Sequence, residues 1–544
     1  MGRSILATTD AALRQGAGGG AAGSDSGLDP KRDRLVIAAS SLGTVFEWYD
    51  FFLYGILASL LGKLFFTTGN PTTELLFSLF AFGIGFFFRP LGAVVFGYFG
   101  DRIGRKYTFL VTITLMGLAT AAIGMLPTQA SVGIWAAVLM LALRTLQGLA
   151  LGGEYGGAAI YVAEHAPPGK RGQYTSWIQA SVAGGFLLCL AVVLTTRGLM
   201  SKEAFEAWGW RVPFLLSLVM LSISLYMRLK LSESPVFQAM KAAGTTSKNP
   251  LVESFTYPGN VGRLLVALFG VGAGLTVVYY TSQFGTLYFL QGTARLPETQ
   301  ALLYMAVGAL LAVPLYVGFG WLSDRIGRKK LLLGGYALTL VLLFPLFHMM
   351  ADGANPALGE AVARSPVVIE LPECAYSVFV KPTTPCAKAL NYLTKHGVSY
   401  SKKQSDALAI TVGQTRLTGF DEAGLAAALV GAGYAETADP ARITHWKIVA
   451  AVAIMVALSA MTYGQVAAIL VEMFPARIRY TSMSIPYHIG TGYFGGFLPV
   501  VSQYIVVRTG DPYSGLWYTF GVVVMAFLVC AIWLPETRGR DITV

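Results

Sequence analysis

The hexapeptide Asp-Arg-Ile-Gly-Arg-Lys stands twice in this chain, at Asp101–Lys106 and at Asp324–Lys329. Each copy closes a long apolar run, and each has a glycine four residues upstream, Gly97 and Gly320. One basic loop between apolar runs says little, but two identical copies point to a duplicated membrane protein.

An apolar run of about 18 residues or more crosses a bilayer as a helix, because lipid offers the backbone no hydrogen-bond partner. Twelve such runs are read, at about 36–62, 75–99, 107–126, 133–163, 174–196, 211–229, 264–290, 299–323, 331–350, 447–471, 481–507 and 514–534. With 54% hydrophobic and 13% charged residues and a mean hydropathy of +0.58, a soluble globular chain is excluded. The formal charge of +11 does not mark a nucleic-acid partner, because its placement follows topology. Counted over the short loops, sixteen Lys and Arg fall on the side of the N-terminus and six on the other. Such an excess marks the cytoplasmic face. Both termini are therefore expected in the cytoplasm and the chain in the plasma membrane (a bacterial inner membrane). Residues 1–34 read as a disordered cytoplasmic tail, with no apolar segment and cleavage site of a signal peptide.

Other echoes test the duplication. Arg171-Gly-Gln-Tyr-Thr-Ser is echoed by Arg477-Ile-Arg-Tyr-Thr-Ser, and Leu231-Ser-Glu-Ser-Pro by Leu534-Pro-Glu-Thr-Arg. The hexapeptides are offset by 223 residues, the other pairs by 306 and 303. An insertion of about 80 residues must lie between Lys329 and Arg477, and composition places it where membrane periodicity stops, at 351–446. The expected organisation is a six-helix half (35–230), a cytoplasmic linker (231–262), helices 7–9 (263–350), the external insert, helices 10–12 (447–535) and a cytoplasmic tail (536–544). The fold class is thus an all-α membrane protein of twelve transmembrane helices in two pseudo-symmetric six-helix halves. A small α/β domain stands between helices 9 and 10, on the external (periplasmic) side. Within it, Val367–Leu371, Tyr376–Val380 and Ala407–Val412 read as strands, and Cys386–His396 and Asp421–Val430 as helices. Cys374 and Cys386 are either a disulfide, permitted in an oxidising compartment, or two free thiols. Cys189 and Cys530 lie in apolar spans as packing residues.

Ionisable groups inside a bilayer cost about 2.5–3.5 kcal/mol each on insertion scales, so each needs a reason. In the first span, Glu47 and Asp50 are three apart on one helix face. They read as a coupled, proton-carrying pair, or else as part of a buried ion pair with an arginine. In the fourth span, Gly148, Gly152 and Gly156 recur every four residues as a stripe for close helix contact. Arg144, with Gln147 and Tyr155, suits an anionic substrate; the alternative is that Arg144 neutralises Glu47 or Asp50. Arg89, before Pro90, reads first as stabilising the cytoplasmic gate or snorkelling, with substrate binding as the alternative. Tyr279, Tyr280 and Gln283, and then Tyr487 and His488, offer aromatic and hydrogen-bonding surface to a substrate. His488 is a relay or a satisfied packing histidine. Glu164, Glu472 and the two hexapeptide loops (Asp101, Arg102, Arg105; Asp324, Arg325, Arg328) sit at inner helix ends as gate contacts. No nucleophile–base pair, metal-ligand set or cofactor motif stands out, so an enzyme, a metal and a cofactor are not expected.

The repeated Gly-x3-Asp-Arg-x-Gly-Arg-Lys resembles the signature loop of the major facilitator superfamily. Glu47-Trp-Tyr-Asp-Phe, Arg89-Pro-Leu-Gly, Gly152-Gly-Glu-Tyr-Gly-Gly-Ala and Ala163-Glu-His-Ala-Pro-x2-Lys-Arg-Gly resemble its metabolite:proton symporter branch, which includes the proline/betaine, α-ketoglutarate, shikimate and citrate carriers. The resemblance implies alternating access, with substrate between two six-helix halves and protons moving down their gradient. It aligns Glu47, Asp50 and Glu154 with the family's acidic coupling positions. It makes Asp101 with Arg105, and Asp324 with Arg328, latches of the inner gate. The fifth span lacks the Gly-Pro motif of the drug antiporters, which favours uptake. The insert departs from the simpler members, as does His488. The expectation is a proton-coupled importer of a small organic metabolite, a carboxylate first and a zwitterionic osmolyte as alternative, functional as a monomer. A membrane nutrient sensor is the reading from another class.

Overall fold

The computed structural model describes residues 30–103, 105–153, 155–229, 249–374, 376–380 and 382–542. Residues up to Ser40 form a unit of their own, of which the start of the Pro30–Ile56 helix is described. From Ser41 onward the chain is a mostly helical bundle carrying one small sheet.

Eight described helices are long and apolar enough to cross a membrane. Two helix pairs, Leu42–Ile56 with Ala58–Phe65 and Lys202–Gly209 with Arg211–Met227, are bent by 62° and 55°, and counting each as one span gives ten. The two other predicted runs fall on shorter or interrupted helices. One is Arg105–Met125, whose apolar part is Leu110–Met125. The other is the stretch where Arg479–Ile489 and Leu498–Thr509 flank a π-helical segment, Gly490–Gly496. That widening falls where Gly490 lies against the Gly272 backbone and Gly495 against Thr276, approaches a side chain would prevent.

Helices from the first part of the chain pack on helices from the last part. Arg171–Gly198 runs along Glu298–Ile326, and Pro71–Phe87 meets Gly490–Gly496. The predicted glycine stripe does what its spacing implies. A Cβ on Gly148 would fall on the Gly85 carbonyl, and one on Gly152 on the Arg89 carbonyl. Gly148→Val therefore forces two helix backbones apart. Overpacking of this kind costs about 1–3 kcal/mol, so the detergent-solubilised variant should melt several degrees lower. A melting temperature equal to that of the parent would show that the helices are not in such contact.

The insert carries a four-stranded sheet in the order β2-β1-β3-β4, with β1 Val367–Leu371, β2 Ser401–Gln404, β3 Ala409–Val412 and β4 Thr415–Thr418. β1 pairs with β2 in parallel and with β3 antiparallel, Ile369 opposite Ile410. Helices Pro356–Arg364, Pro385–Lys395 and Glu422–Gly431 cover it, burying Ile369, Leu390, Leu393, Ile410 and Leu425. Thr384 and Asp421 cap the second and third of these helices with their side-chain oxygens. The strand expected over Tyr376–Val380 is not one. That segment is a turn, and Val378 is buried against the bundle instead of pairing in the sheet. β2 and β4 escaped the sequence reading because their side chains are almost all exposed and show no apolar alternation. Cys374 and Cys386 are disulfide-bonded, with Cα atoms 6.4 Å apart.

Candidate functional site

The first helix distributes its motif over two faces. Glu47 and Asp50 line one small cavity, of about 10 Å³, with Ile113 and Met116 from the Arg105–Met125 helix and Ser224 from Arg211–Leu229. Ser217 donates a hydrogen bond of 2.5 Å to Asp50 Oδ1. Asp50 has no ion-pair partner among the described residues, so the alternative of a salt bridge with a neighbouring arginine does not hold for it. The sharing of one cavity is what the three-residue spacing predicts.

Trp48, between them in sequence, faces the other way. It lines a second cavity of about 10 Å³ with Arg89, Leu275, Thr276, Tyr279, Tyr280, Tyr463 and Thr491. This cavity lies on the seam between early and late helices. Arg89 is 1% exposed, and none of its three guanidinium nitrogens has a hydrogen-bond partner among the described residues. Its guanidinium carbon lies 5.5 Å from the Trp48 ring centre and 5.2 Å from that of Phe86. A side chain buried this deeply does not snorkel to the membrane surface. Gly152 packs against the Arg89 backbone carbonyl, and late-helix residues line the cavity that Arg89 shares with Trp48. In the same cavity Thr276 Oγ1 and Tyr279 OH are also buried without partners, as are both ring nitrogens of His488 close by and Gln283 Oε1 one turn beyond Tyr279. A buried guanidinium without an acceptor carries a large desolvation penalty, and a cluster of such groups is suited to holding a polar ligand.

Arg144 is placed differently. It is fully buried, donates to the carbonyl oxygens of Ala81 (3.5 Å) and Phe82 (3.1 Å) and to Gln147 Oε1 (2.7 Å), and lies against the rings of Phe51 and Tyr54. It contacts neither Glu47 nor Asp50, so it does not neutralise them. Gln147 passes the contact on, donating at 2.7 Å to Thr120 Oγ1, and the Thr120 hydroxyl also lies beside Asp50. Arg144 is thus joined to the carboxylate cavity through Gln147 and Thr120. Next to the Arg89 cavity, Tyr155 stacks on Tyr487 at 3.8 Å, accepts from Gln179 at 2.9 Å, and Tyr487 shares a 2.6 Å hydrogen bond with Tyr463. Thr120, Ser217, Thr276, Tyr463 and Thr491 were missed in the sequence. Each is a single hydroxyl in an apolar run, a pattern that also describes packing residues.

The second hexapeptide anchors a charge cluster at the helix ends. Arg328 bonds Asp324 at 2.7 Å and Glu472 at 3.2 Å. Asp324 accepts from the backbone N–H groups of Gly172 and Gln173, at 2.9 and 2.8 Å, at the positive N-terminus of Arg171–Gly198. Arg479 reaches Glu164 at 3.4 Å, and Arg325 covers the Trp321 ring. Glu536, from the echoed Leu-Pro-Glu motif, accepts from the N–H of Arg328 at 2.9 Å. These contacts tie early helices to late ones at that end. Glu154 lies outside the described residues, as do the side chains of Asp101, Arg102 and Arg105.

The opposite end is tied as well. Arg197 pairs with Glu298 at 2.6 Å, and Tyr288 donates at 2.7 Å to the carbonyl of Gly55. Among the described residues, contacts between early and late helices thus join both ends of the bundle.

Residues 35–256 and 414–543 match the sugar (and other) transporter family. The chain is 36% identical over 326 residues to the shikimate transporter of Escherichia coli (strain K12), covering 59% of this chain and 73% of that one. It is 26% identical over 522 residues to a putative proline/betaine transporter of Staphylococcus aureus (strain MSSA476), covering 95% and 91%. Among solved structures, the major facilitator superfamily proton:xylose symporter XylE of E. coli, bound to 6-bromo-6-deoxy-D-glucose, superposes with a TM-score of 0.60. The identity is 16%, over 94% of this chain and 97% of that one.

Proposed function

Because the chain belongs to the sugar (and other) transporter family of the major facilitator superfamily, we propose that it is a proton-coupled importer of a small organic carboxylate, working by alternating access. It is a multi-pass membrane transporter, and in this reading it has twelve spans, cytoplasmic termini and a bacterial inner-membrane location, and acts as a monomer.

The observation that carries the substrate class is Arg89. Its guanidinium, buried between early and late helices with no acceptor, lacks what a carboxylate supplies: two oxygens in a plane matching its fork, and a compensating charge. Tyr279, Thr276 and His488 stand beside it with further unfilled hydrogen-bonding positions for the rest of the substrate, and Gln283 adds one a turn beyond Tyr279.

Glu47 and Asp50 take the proton, with Glu154 as the third acidic group. The first helix couples the two events, since Trp48 touches the Arg89 cavity and Asp50 the other. A shift of this helix on substrate binding therefore changes the surroundings of the carboxylates. Arg144, through Gln147 and Thr120, connects Asp50 to the helix that packs on Gly85 and Arg89. The Asp324–Arg328–Glu472 cluster is the cytoplasmic gate, closed here. Binding energy and protonation together then bias the population of outward- and inward-open states.

One observation favours a zwitterionic osmolyte as second reading: Trp48, Tyr279, Tyr280 and Tyr463 line the cavity beside Arg89, and aromatic faces bind quaternary ammonium groups. Proteoliposome uptake under an imposed pH gradient decides, across mono-, di- and tricarboxylates and betaines. Carboxylates are expected to accumulate and to compete with one another. Exclusive accumulation of betaines supports the second reading, and no gradient-driven uptake of any rejects symport.

A further inference from the structure

The insert interrupts the helix pattern and touches the bundle at several points, which differ in kind. Towards the late helices it is fixed. Arg295, in the loop before Glu298–Ile326, is held at a φ of 57° and donates to the carbonyls of Ala435, His396 (2.9 Å) and Gly397 (3.2 Å). Its own carbonyl accepts from Ala438 N–H at 3.1 Å. Tyr400 N–H donates to Gly510 O, and Lys402 Nζ to Arg508 O, at 3.2 and 3.1 Å. The chain itself enters and leaves through late helices, Arg328–Ala354 and His445–Tyr463.

Towards the early helices the contact among the described residues is narrow and comes from two places. Asn391 accepts a 2.7 Å hydrogen bond from Asn70, the cap of Pro71–Phe87. The other is the loop closed by the Cys374–Cys386 disulfide. There Val378 O accepts from Thr73 at 2.5 Å, and Phe379 packs on Phe77 with ring centres 5.5 Å apart. Val378 is buried with Leu76 of an early helix and Val507 of a late one, and Phe379 also stacks on Tyr504. The loop therefore lies across the seam. Beside it a cleft of about 610 Å³ is lined by all three parts: Ser59 and Thr72, Gln291 and Arg295, Tyr392 and Tyr400.

We infer that the insert is an external gate: an arm carried by the late helices that reaches over the mouth of the pathway and latches onto the early helices at Asn70, Thr73 and Phe77. The inference rests on the alternating-access reading. In that cycle the two sets of helices rock against each other about the central site. An arm fixed to one set and held to the other by a small patch must release that patch each time the outer mouth opens. The disulfide serves this arrangement by limiting the freedom of the loop that carries Val378 and Phe379, so that the patch re-forms in register. The arm explains why a polar, folded segment is tolerated at this point of a transporter, and the cleft is the entrance it covers.

The test uses the full-length protein with Asn70→Cys and Asn391→Cys, whose side chains are in contact, reconstituted and assayed for gradient-driven uptake across the same panel of mono-, di- and tricarboxylates and betaines. Mild oxidation, with the new bridge verified by peptide mapping, is expected to lower uptake by roughly tenfold or more, with recovery on reduction. The same oxidation leaves each single-cysteine variant at its own untreated level of uptake. A verified bridge with undiminished uptake overturns the gate while leaving the transport reading intact. Loss of uptake in the parent protein across all compounds instead rejects transport itself. Should the double variant fail to assemble, Phe379→Asp at a half-exposed position places a charge in the latch. A several-fold change in the half-saturation concentration for uptake is expected, and an unchanged value overturns the proposal.

Discussion

Replacing Arg89 with methionine is expected to abolish uptake and, in the same protein, to raise the melting temperature. The two effects have one cause. The guanidinium is buried, with no acceptor for any of its nitrogens among the described residues, and lies against the faces of Trp48 and Phe86. Removing an unpaired buried charge in favour of an apolar chain of similar length is stabilising, and exchanges of buried ionic groups for apolar ones have gained about 1–4 kcal/mol. With substrate bound, the balance reverses. Truncating one partner of a buried hydrogen-bonded charge pair costs about 2–5 kcal/mol, a loss of tens- to thousands-fold in affinity. Arg89→Lys keeps the charge but not the fork, and should recover little. Thermal unfolding with and without the transported carboxylate measures both arms. A destabilised Arg89→Met protein, or one that still transports, would remove Arg89 from the substrate site.

Asp50→Asn is expected to separate transport from the proton gradient. The variant should exchange labelled for unlabelled substrate across the membrane and yet fail to accumulate it. Each pH unit of gradient is worth about 1.4 kcal/mol per coupled proton, or tenfold accumulation, so the loss is large and easily read. The amide still accepts the Ser217 hydrogen bond, which lets the cavity with Glu47 persist without a titrating group at this position. Glu47→Gln in parallel identifies which of the two carries the proton. Accumulation that survives both substitutions would place the coupling elsewhere, with Glu154 the next position to replace.

Much of the bundle was legible because hydropathy is a local property. The runs at 299–323 and 331–350 fall within Glu298–Ile326 and Arg328–Ala354, and the glycines at 148 and 152 lie against carbonyls of a neighbouring helix as their spacing implies. The failures were local ones too. The stretch 376–380 has the apolar content of a strand, but Val378 buries itself against Leu76 rather than in the sheet. β2 and β4 have exposed side chains and leave no pattern to read.

The candidate site divides along the same line. That Glu47 and Asp50 share a face follows from helical geometry, and the second hexapeptide could be paired with Glu472 by its place at a helix end. Which arginine lacks a partner could not be known from either neighbourhood. Arg89 and Arg144 both stand in apolar helices, yet carbonyls and Gln147 fill the donors of one while those of the other stay empty.

The membrane class and the acidic face of the first helix could be had from the order and spacing of residues along the chain. Only the tertiary structure decided that Arg89 lies at the central cavity and that the insert lies across the seam between early and late helices. Unfilled donors and bridged surfaces are properties of residues distant in sequence, and they exist only once those residues have been brought together.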